Sequence, residues 1–258
     1  MLALLIDGLN LIRRIDAAIA AVETGQARTA TLGRSVEQAL GRVLGTFEPT
    51  HAALVLDGHG TSWRHQLFGE YKKRRIEMSP QLVGDIKQIR QQAVDRGLPV
   101  VRVEAFEADD VIATMATTLA NAGGRAVIVS TDWSFCQLLS DSVQVYDHFA
   151  GIERDAEQVR SRYGVSPSQL TSVLALAGVS SLSIPGVRGI GLKTAATLVA
   201  QYGDLTGVIE NAERIPGRPG VLLGTQIDAV RLSHRLVSLA ADVEVGVNLK
   251  DLRIAGAR

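Results

Sequence analysis

Three carboxylates fall within four residues at Glu107-Ala108-Asp109-Asp110, where an apolar helix-forming run begins. Like charges this close repel, so the cluster calls for a cation, for raised pKa values or for screening by water. A hard divalent metal is its natural partner. Three further acids follow short apolar runs: Asp7 after Leu2 to Ile6, Asp57 after Ala52 to Leu56, and Asp132 just after Ala126 to Thr131. Each reads as a carboxylate at the C-terminal end of a buried strand. In an open parallel α/β sheet ligands gather outside those ends, which would bring the three acids toward the Glu107 cluster. The competing reading is that each acid caps a helix, a position that Asp and the helix dipole both favour.

Basic residues flank the acids. Trp63-Arg64-His65 and Tyr71-Lys72-Lys73-Arg74-Arg75 form a cationic, aromatic patch soon after Asp57. Such side chains neutralise phosphates and stack on unpaired bases, although a charge run is also a common solvated face. His59 and His65 match no zinc spacing and read as surface or phosphate contacts. Farther along, the string Ile184-Pro185-Gly186-Val187-Arg188-Gly189-Ile190-Gly191-Leu192-Lys193-Thr194 joins two helical segments, the first spanning 168–177. Gly189 and Gly191 allow close backbone approach, amides at a helix start near Leu192 suit a phosphate, and Lys193 adds charge. Gly189, Ile190, Gly191, Leu192, Lys193, Thr194 and, from the basic patch, Arg75 are therefore candidate DNA contacts. A Gly-rich turn with a solvated Lys is the alternative.

These residues need a scaffold. The chain has 258 residues, 46% of them hydrophobic, enough for one large domain or two smaller ones. Strand-like runs near 2–6, 52–56, 99–103, 126–130 and 143–146 alternate with helical stretches at roughly 31–46, 80–96, 108–122 and 133–139, which predicts an α/β fold with a mainly parallel central sheet flanked by helices. Residues 23–29 read as a polar loop. From about Val159 the chain turns helix-rich, with no strand expected before 243–247. The expected division is 1–158, an α/β domain with the acidic site, and 159–258, a helical helix-hairpin-helix subdomain whose C-terminal tail packs back on the sheet. No internal repeat stands out.

Lys+Arg and Asp+Glu each number 27, so net charge gives no sign of a nucleic-acid partner and local patches must supply it. Cys136 is the single cysteine, which excludes an intramolecular disulfide and a Cys-rich zinc site; it reads as core filler. The start of the chain lacks a basic leader, and acid interrupts its first apolar run, so a cytoplasmic protein without a membrane partner is expected.

Taken together the motifs resemble the 5′-nuclease family, which comprises flap endonucleases and the 5′-nuclease domain of bacterial DNA polymerase I. The resemblance covers nearly the whole chain: Asp7-Gly8-Leu9-Asn10, Asp57 with Trp63-Arg64 and the Tyr71 to Arg75 run, Glu107 to Asp110, Ser130-Thr131-Asp132 with Gln137-Leu138, and the string from Ile184 onward. It implies a Mg2+-dependent nuclease acting on DNA with a 5′ flap or single-strand/duplex junction, and a monomer. It also implies catalytic roles for Asp7, Asp57, Glu107, Asp109, Asp110, Asp132, Arg64 and Lys72, with Asp109 the strongest candidate for a direct Mg2+ ligand. A K+ ion on the backbone carbonyls of Leu176, Ala177, Pro185, Val187 and Ile190 is implied as well. Relatives build a helical arch between the positions of Tyr71 and Glu104, a gateway for a single strand.

The chain departs from the family where a second metal would sit. Ser134 stands where many relatives carry Asp, and Val179 and Leu182 replace two more aspartates before the hairpin. Two-metal cleavage would suffer unless water or substrate oxygens substitute, which Mg2+ tolerates because it keeps several waters. A DNA-junction binding protein with weak or lost hydrolysis is therefore the alternative function. A small-molecule phosphatase would explain the acids but leave the hairpin idle.

Overall fold

The structure, a computed structural model, describes residues 1–254. Six strands, β1 (Leu2–Asp7), β2 (His51–Val55), β3 (Val100–Val101), β4 (Arg125–Val129), β5 (Val143–Asp147) and β6 (Ile152–Arg154), form one sheet in the order β3-β2-β1-β4-β5-β6. Every pairing is parallel except β5 with β6. The chain winds outward from β1 to β2 and β3, then crosses back to lay β4 on the other side of β1. The crevice at the carboxyl ends of β1 and β4 is thus the switch point of the sheet.

Alternation along the strands divides the core. Leu4, Ile6, Leu54, Val127 and Val129 face α1 (Gly8–Ile19), α2 (Gly25–Phe47) and α4 (Pro80–Asp95); Ala3, Leu5, Val55 and Ile128 face α5 (Ala108–Asn121). Each such aliphatic side chain contributes about 1.5–3 kcal/mol by leaving water. Between α2 and α4 lies the short α3 (Trp63–Leu67). The remaining helices, α6 (Ala156–Tyr163), α7 (Leu170–Ala177), α8 (Leu192–Tyr202), α9 (Leu205–Glu210), α10 (Arg218–Thr225) and α11 (Ile227–Val237), build the C-terminal part around a cluster that includes Val173, Leu176, Ile184, Leu198 and Leu236. The chain is α/β with a mainly parallel sheet and a helical C-terminal part. No helix among the described residues is long and apolar enough to cross a membrane.

Several expectations are corrected. Residues 23–29 are not a loop, because α2 starts at Gly25. Arg28 pairs with Asp16 and Asp85, and Thr29 Oγ1 donates to Asp85 at 2.9 Å, so tertiary contacts override a polar sequence. α1, absent from the sequence reading, is fixed by Leu11, Ile12, Ile15 and Ile19 on one face and by Asp7, which caps it by accepting from the Asn10 amide at 3.0 Å. Residues 133–139 form a 3-10 turn, Trp133–Leu138, and 243–247 form no strand; Val243 is buried and donates to Thr114 Oγ1 at 3.2 Å. The tail touches the sheet through Arg253, bridged to His51. The expected arch is reduced, since α4 docks into the main core through Leu82, Ile86, Ile89 and Ala93. Residues 68–79, before α4, are turns and extended chain.

Candidate active site

The crevice between β1 and β4 collects the predicted acids. Asp7 ends β1, Asp57 lies two residues past β2, Asp132 lies three past β4, and Asp109 sits in the first turn of α5; all four line one groove with Asn10, Arg13, Arg14, Lys72, Arg75 and Trp133. Two of them also serve the fold. Asp57 Oδ1 accepts from the Ala108 amide at 2.9 Å and so closes the start of α5, while Asp7 Oδ2 accepts from Ser130 Oγ at 2.8 Å and ties β1 to β4. The same acids thus cap or close helix starts and line one groove.

Close approach of backbone holds the loops together. A Cβ on Gly58 would lie 1.9 Å from the Val103 carbonyl oxygen, and the Gly58 amide donates to Phe106 at 2.9 Å, so the Asp57 loop and the Glu107 loop fit only with glycine between them. Lys72, Ala105 and Ser183 adopt left-handed φ of 53°, 62° and 59°. Such strain in non-glycine residues gathers where the surrounding contacts impose it, and all three border the groove or its loops.

Electrostatics separates the acids into two groups. Burial raises Asp7 to about 7 against its hydrogen bonds from Asn10 and Ser130, and the charges of Asp132 and Asp57 add to the rise. Asp109 stands well above the usual carboxylate range, first because it is desolvated and then because Asp7, Asp132 and Asp57 face it; Lys72 relieves it only in part. This set is short of positive charge. Glu107 and Asp110 are the opposite case. Burial alone would raise Glu107, yet Lys72 Nζ at 2.6 Å, Arg64 Nη1 at 3.1 Å and Tyr71 Oη at 3.0 Å hold it below the usual range.

Asp110 does not reach the groove. It is 0% exposed and accepts from Arg64 Nη1 and Nη2 at 2.6 and 2.8 Å, from Trp63 Nε1 at 2.9 Å and from the Ala240 amide at 2.9 Å. Its expected part in arranging metal ligands is corrected to that of a clamp on Arg64. Helical geometry explains the split, since adjacent residues in α5 point about 100° apart. Arg64 is itself buried, and its Nε and Nη2 donate to the carbonyls of Leu236 and Ser238 at 2.9 Å each, so α3 is tied to the end of α11.

The donor set suits a hard cation: four mutually repelling carboxylates, Asp7 buried, Asp57 and Asp109 half-buried and Asp132 exposed. Among the described residues no three His, Cys, Asp or Glu side chains converge into a ready-made metal shell. Ser134, Val179 and Leu182 line the same groove. Where a second set of acids would face the first, the wall carries one hydroxyl and two apolar side chains.

Groove residues that the sequence reading passed over are Arg13, Arg14 and Tyr163. The spacing of Leu9, Asn10, Arg13 and Arg14, three and four apart on one helix face beside Asp7, was the available signal. Asn10 Oδ1 accepts from the Thr131 amide at 3.2 Å and Arg14 Nη1 donates to Thr131 Oγ1 at 3.1 Å, which steadies the Asp132 loop. His59 contacts Arg102, and His65 contacts Ser62.

The hairpin lies apart from the acids. Gly189, Gly191, Leu192 and Lys193 are exposed, Thr194 is partly so, and Ile190 is buried, leaving only its backbone for a ligand. A Cβ on Gly186 would lie 2.3 Å from the Gly178 amide nitrogen and one on Gly178 2.7 Å from the Pro185 oxygen, so the two stretches meet backbone to backbone. The Leu176 oxygen accepts from the Val187 amide at 2.7 Å and the Val187 oxygen from the Ile190 amide at 2.9 Å. Each carbonyl keeps a second lone pair.

Residues 2–164 match the family described as 5′-3′ exonuclease, N-terminal resolvase-like domain, and residues 165–258 match the 5′-3′ exonuclease, C-terminal SAM fold. The flap endonuclease Xni of Psychromonas ingrahamii is 38% identical over 252 residues, covering 97% of this chain and 96% of the relative. Among solved structures, zinc-bound T5 5′-exonuclease superposes with a TM-score of 0.81 at 19% identity, over 93% of this chain and 90% of that one. A bacteriophage T5 flap endonuclease in a pseudo-enzyme-product complex with DNA and metal ions gives 0.79 at 19% identity, over 93% and 89%. At these identities the two T5 structures speak for the fold alone.

Proposed function

The chain belongs to the 5′-3′ exonuclease family, and from that premise we propose that it is a Mg2+-dependent, structure-specific 5′ nuclease hydrolysing DNA phosphodiesters at 5′ flaps or single-strand/duplex junctions. The observation that carries the reading is Asp109, a desolvated carboxylate faced by three others. Asp109, with Asp7 and Asp132, would hold the cation, and Asp57 would fix the start of α5 beneath them. Bound there, the ion would draw off charge from the scissile phosphodiester.

The protein's own groups do the rest. Lys72 reaches the groove with its ammonium held by Glu107, close enough to Asp109 to ease its charge, and would meet a phosphate oxygen there. Arg13 and Arg75 line the same groove; Arg13 is lowered by burial and then by the like charge of Arg75, a pair that an arriving phosphate would relieve. The hairpin would grip the duplex backbone through amides and Lys193, with K+ on the carbonyls of Leu176, Ala177, Pro185, Val187 and Ile190. The division into 1–158 for chemistry and 159–258 for duplex binding is part of the proposal, as are a monomer and a cytoplasmic location.

The test is release of a labelled 5′ flap in Mg2+ by purified protein, lost in Asp109→Asn. Equal cleavage by that variant would sink the site. One observation favours a second reading, a junction-binding protein with little turnover: Ser134, Val179 and Leu182 on the wall where further ligands would be needed. Binding of flap DNA without turnover across a Mg2+ and Mn2+ titration would select it.

A further inference from the structure

The Ile-Pro-Gly of the hairpin occurs twice. Ile184-Pro185-Gly186 leads through Val187, Arg188, Gly189, Ile190 and Gly191 into α8, and 31 residues later Ile215-Pro216-Gly217 leads directly into α10. The sequence reading saw no repeat, because the second copy is shorter and lacks the Gly-Ile-Gly tail. The two turns share structural features. Ile184 and Ile215 are buried in the same cluster, Gly186 and Gly217 have φ of 61° and 74°, and both turns use a glycine where only backbone fits. In the second turn that glycine is Gly220, whose Cβ would lie 2.1 Å from the Ile215 oxygen.

The two turns are fastened side by side. Gln226 at the end of α10 clasps the hairpin: its Oε1 accepts from the Arg188 amide at 2.8 Å, and its Nε2 donates to the Arg188 carbonyl at 3.4 Å. A Cβ on Gly189 would lie 3.0 Å from Leu222 Cδ1 and 3.8 Å from Arg218 Nη2. The guanidinium of Arg218 therefore stands beside the exposed glycine of the first turn. No acid occurs in 178–203 or in 214–227, and both stretches carry exposed cations: Arg188, Lys193, Arg214 and Arg218. Among the described residues none of these four forms an ion pair.

We propose that the second Ile-Pro-Gly turn is a further duplex-binding element, with Arg218 as its phosphate contact next to Gly189. The inference rests on the DNA reading above and adds to it a second point of grip. A surface fork of N–H donors without an acid partner, on a turn locked to another phosphate-facing turn, fits a repeating anionic backbone and has no means of reading bases. The partner is duplex, not single strand, because the two turns are held rigidly side by side and a flexible strand would gain nothing from that spacing.

Fluorescence anisotropy with a 5′-flap duplex, in Ca2+ to prevent turnover and over a range of salt, tests it. Wild-type protein, Arg218→Ala, Arg218→Lys and Lys250→Ala are compared; Lys250 is an exposed cation near the start of β2, at the opposite end of the sheet from the groove, and controls for net charge. Arg218→Ala should bind several-fold more weakly, and its plot of log affinity against log salt should be shallower by about 0.9, the loss of one phosphate contact. Arg218→Lys should restore the slope, and Lys250→Ala should match the wild type. If the wild type binds and Arg218→Ala keeps both its affinity and its slope, the second turn is not a DNA contact and the nuclease reading stands. If the wild type does not bind flap DNA, both fall together.

Discussion

The acidic groove and the paired turns solve opposite problems. In the groove, side chains would carry the chemistry and the fold tolerates their repulsion: burial pushes Asp7 and Asp109 toward their protonated forms, Asp132 and Asp57 add to both, and Asp7 adds to the rise of Asp109. At the turns, main-chain amides and a few unpaired cations would meet a ligand, with Gly178 and Gly186 giving up their Cβ atoms so that two stretches of main chain can touch. One region stores electrostatic cost that a cation relieves. The other stores no charge cost and presents amides and carbonyls ready-made. Chemistry can therefore be lost without losing affinity, and the reverse.

The sharpest break is Asp109→Asn. Cleavage of a flap substrate should fall by about a hundredfold or more, while duplex affinity measured in Ca2+ stays within about twofold of wild type. A parallel collapse of affinity would show that the two regions are not separate.

Gly58→Ala comes next. Its methyl group would strike the Val103 carbonyl, so the Asp57 and Glu107 loops must part; a loss of about 1–3 kcal/mol in denaturant unfolding is expected, with reduced cleavage. A change within about 0.5 kcal/mol, the range of ordinary surface substitutions, would mean that the loops yield freely.

The pH dependence follows in size. Because the folded state holds the Asp7 proton up to about 7 while the unfolded chain releases it near 3.8, metal-free protein should lose stability as pH rises through that window. Melting temperature without metal should fall by a few degrees between pH 5 and pH 8, and Mg2+ should restore it by binding the folded state. In Asp109→Asn the fall should be smaller, since Asp109, whose own carboxyl is held well above the usual range, no longer adds to it. Cleavage should rise over the same interval.

The smallest effects belong to the turns. Lys193→Ala should weaken binding to every duplex sequence by a similar factor of about three to ten and flatten the salt slope by about 0.9. Exchanging K+ for Na+ at constant ionic strength should lower duplex affinity, with no change in Asp109-dependent metal binding. Unchanged affinity in both experiments would take the hairpin out of the interface.

The difference between the regions also explains what could be read from the chain. Asp7, Asp57 and Asp132 were legible because apolar strand runs end just before them, and a parallel sheet brings such ends together. Asp110 was not, because composition places it beside Asp109 while the helix turns it toward Arg64. α1 and the start of α2 were missed for another reason: Arg28 and Thr29 look like loop residues until Asp16 and Asp85 supply their partners. The first Ile-Pro-Gly turn showed itself through glycine spacing. The second did not, since its sequence carries three matching residues and its kinship lies in backbone angles and in the Gln226 clasp.

Lys72 joins the two regions in one residue. Its ammonium is held by Glu107 on the sheet side at 2.6 Å, while its own amide donates to the Leu182 carbonyl, in the turn before the hairpin, at 2.8 Å. With φ at 53° the residue has little slack to swivel between these two anchors. A displacement of the turn by a badly seated duplex would therefore drag the lysine's main chain and misalign its charge over the groove. On the reading proposed above, the strained lysine would act as a tolerance gauge, coupling how well the double strand is seated to whether the cutting site is in true.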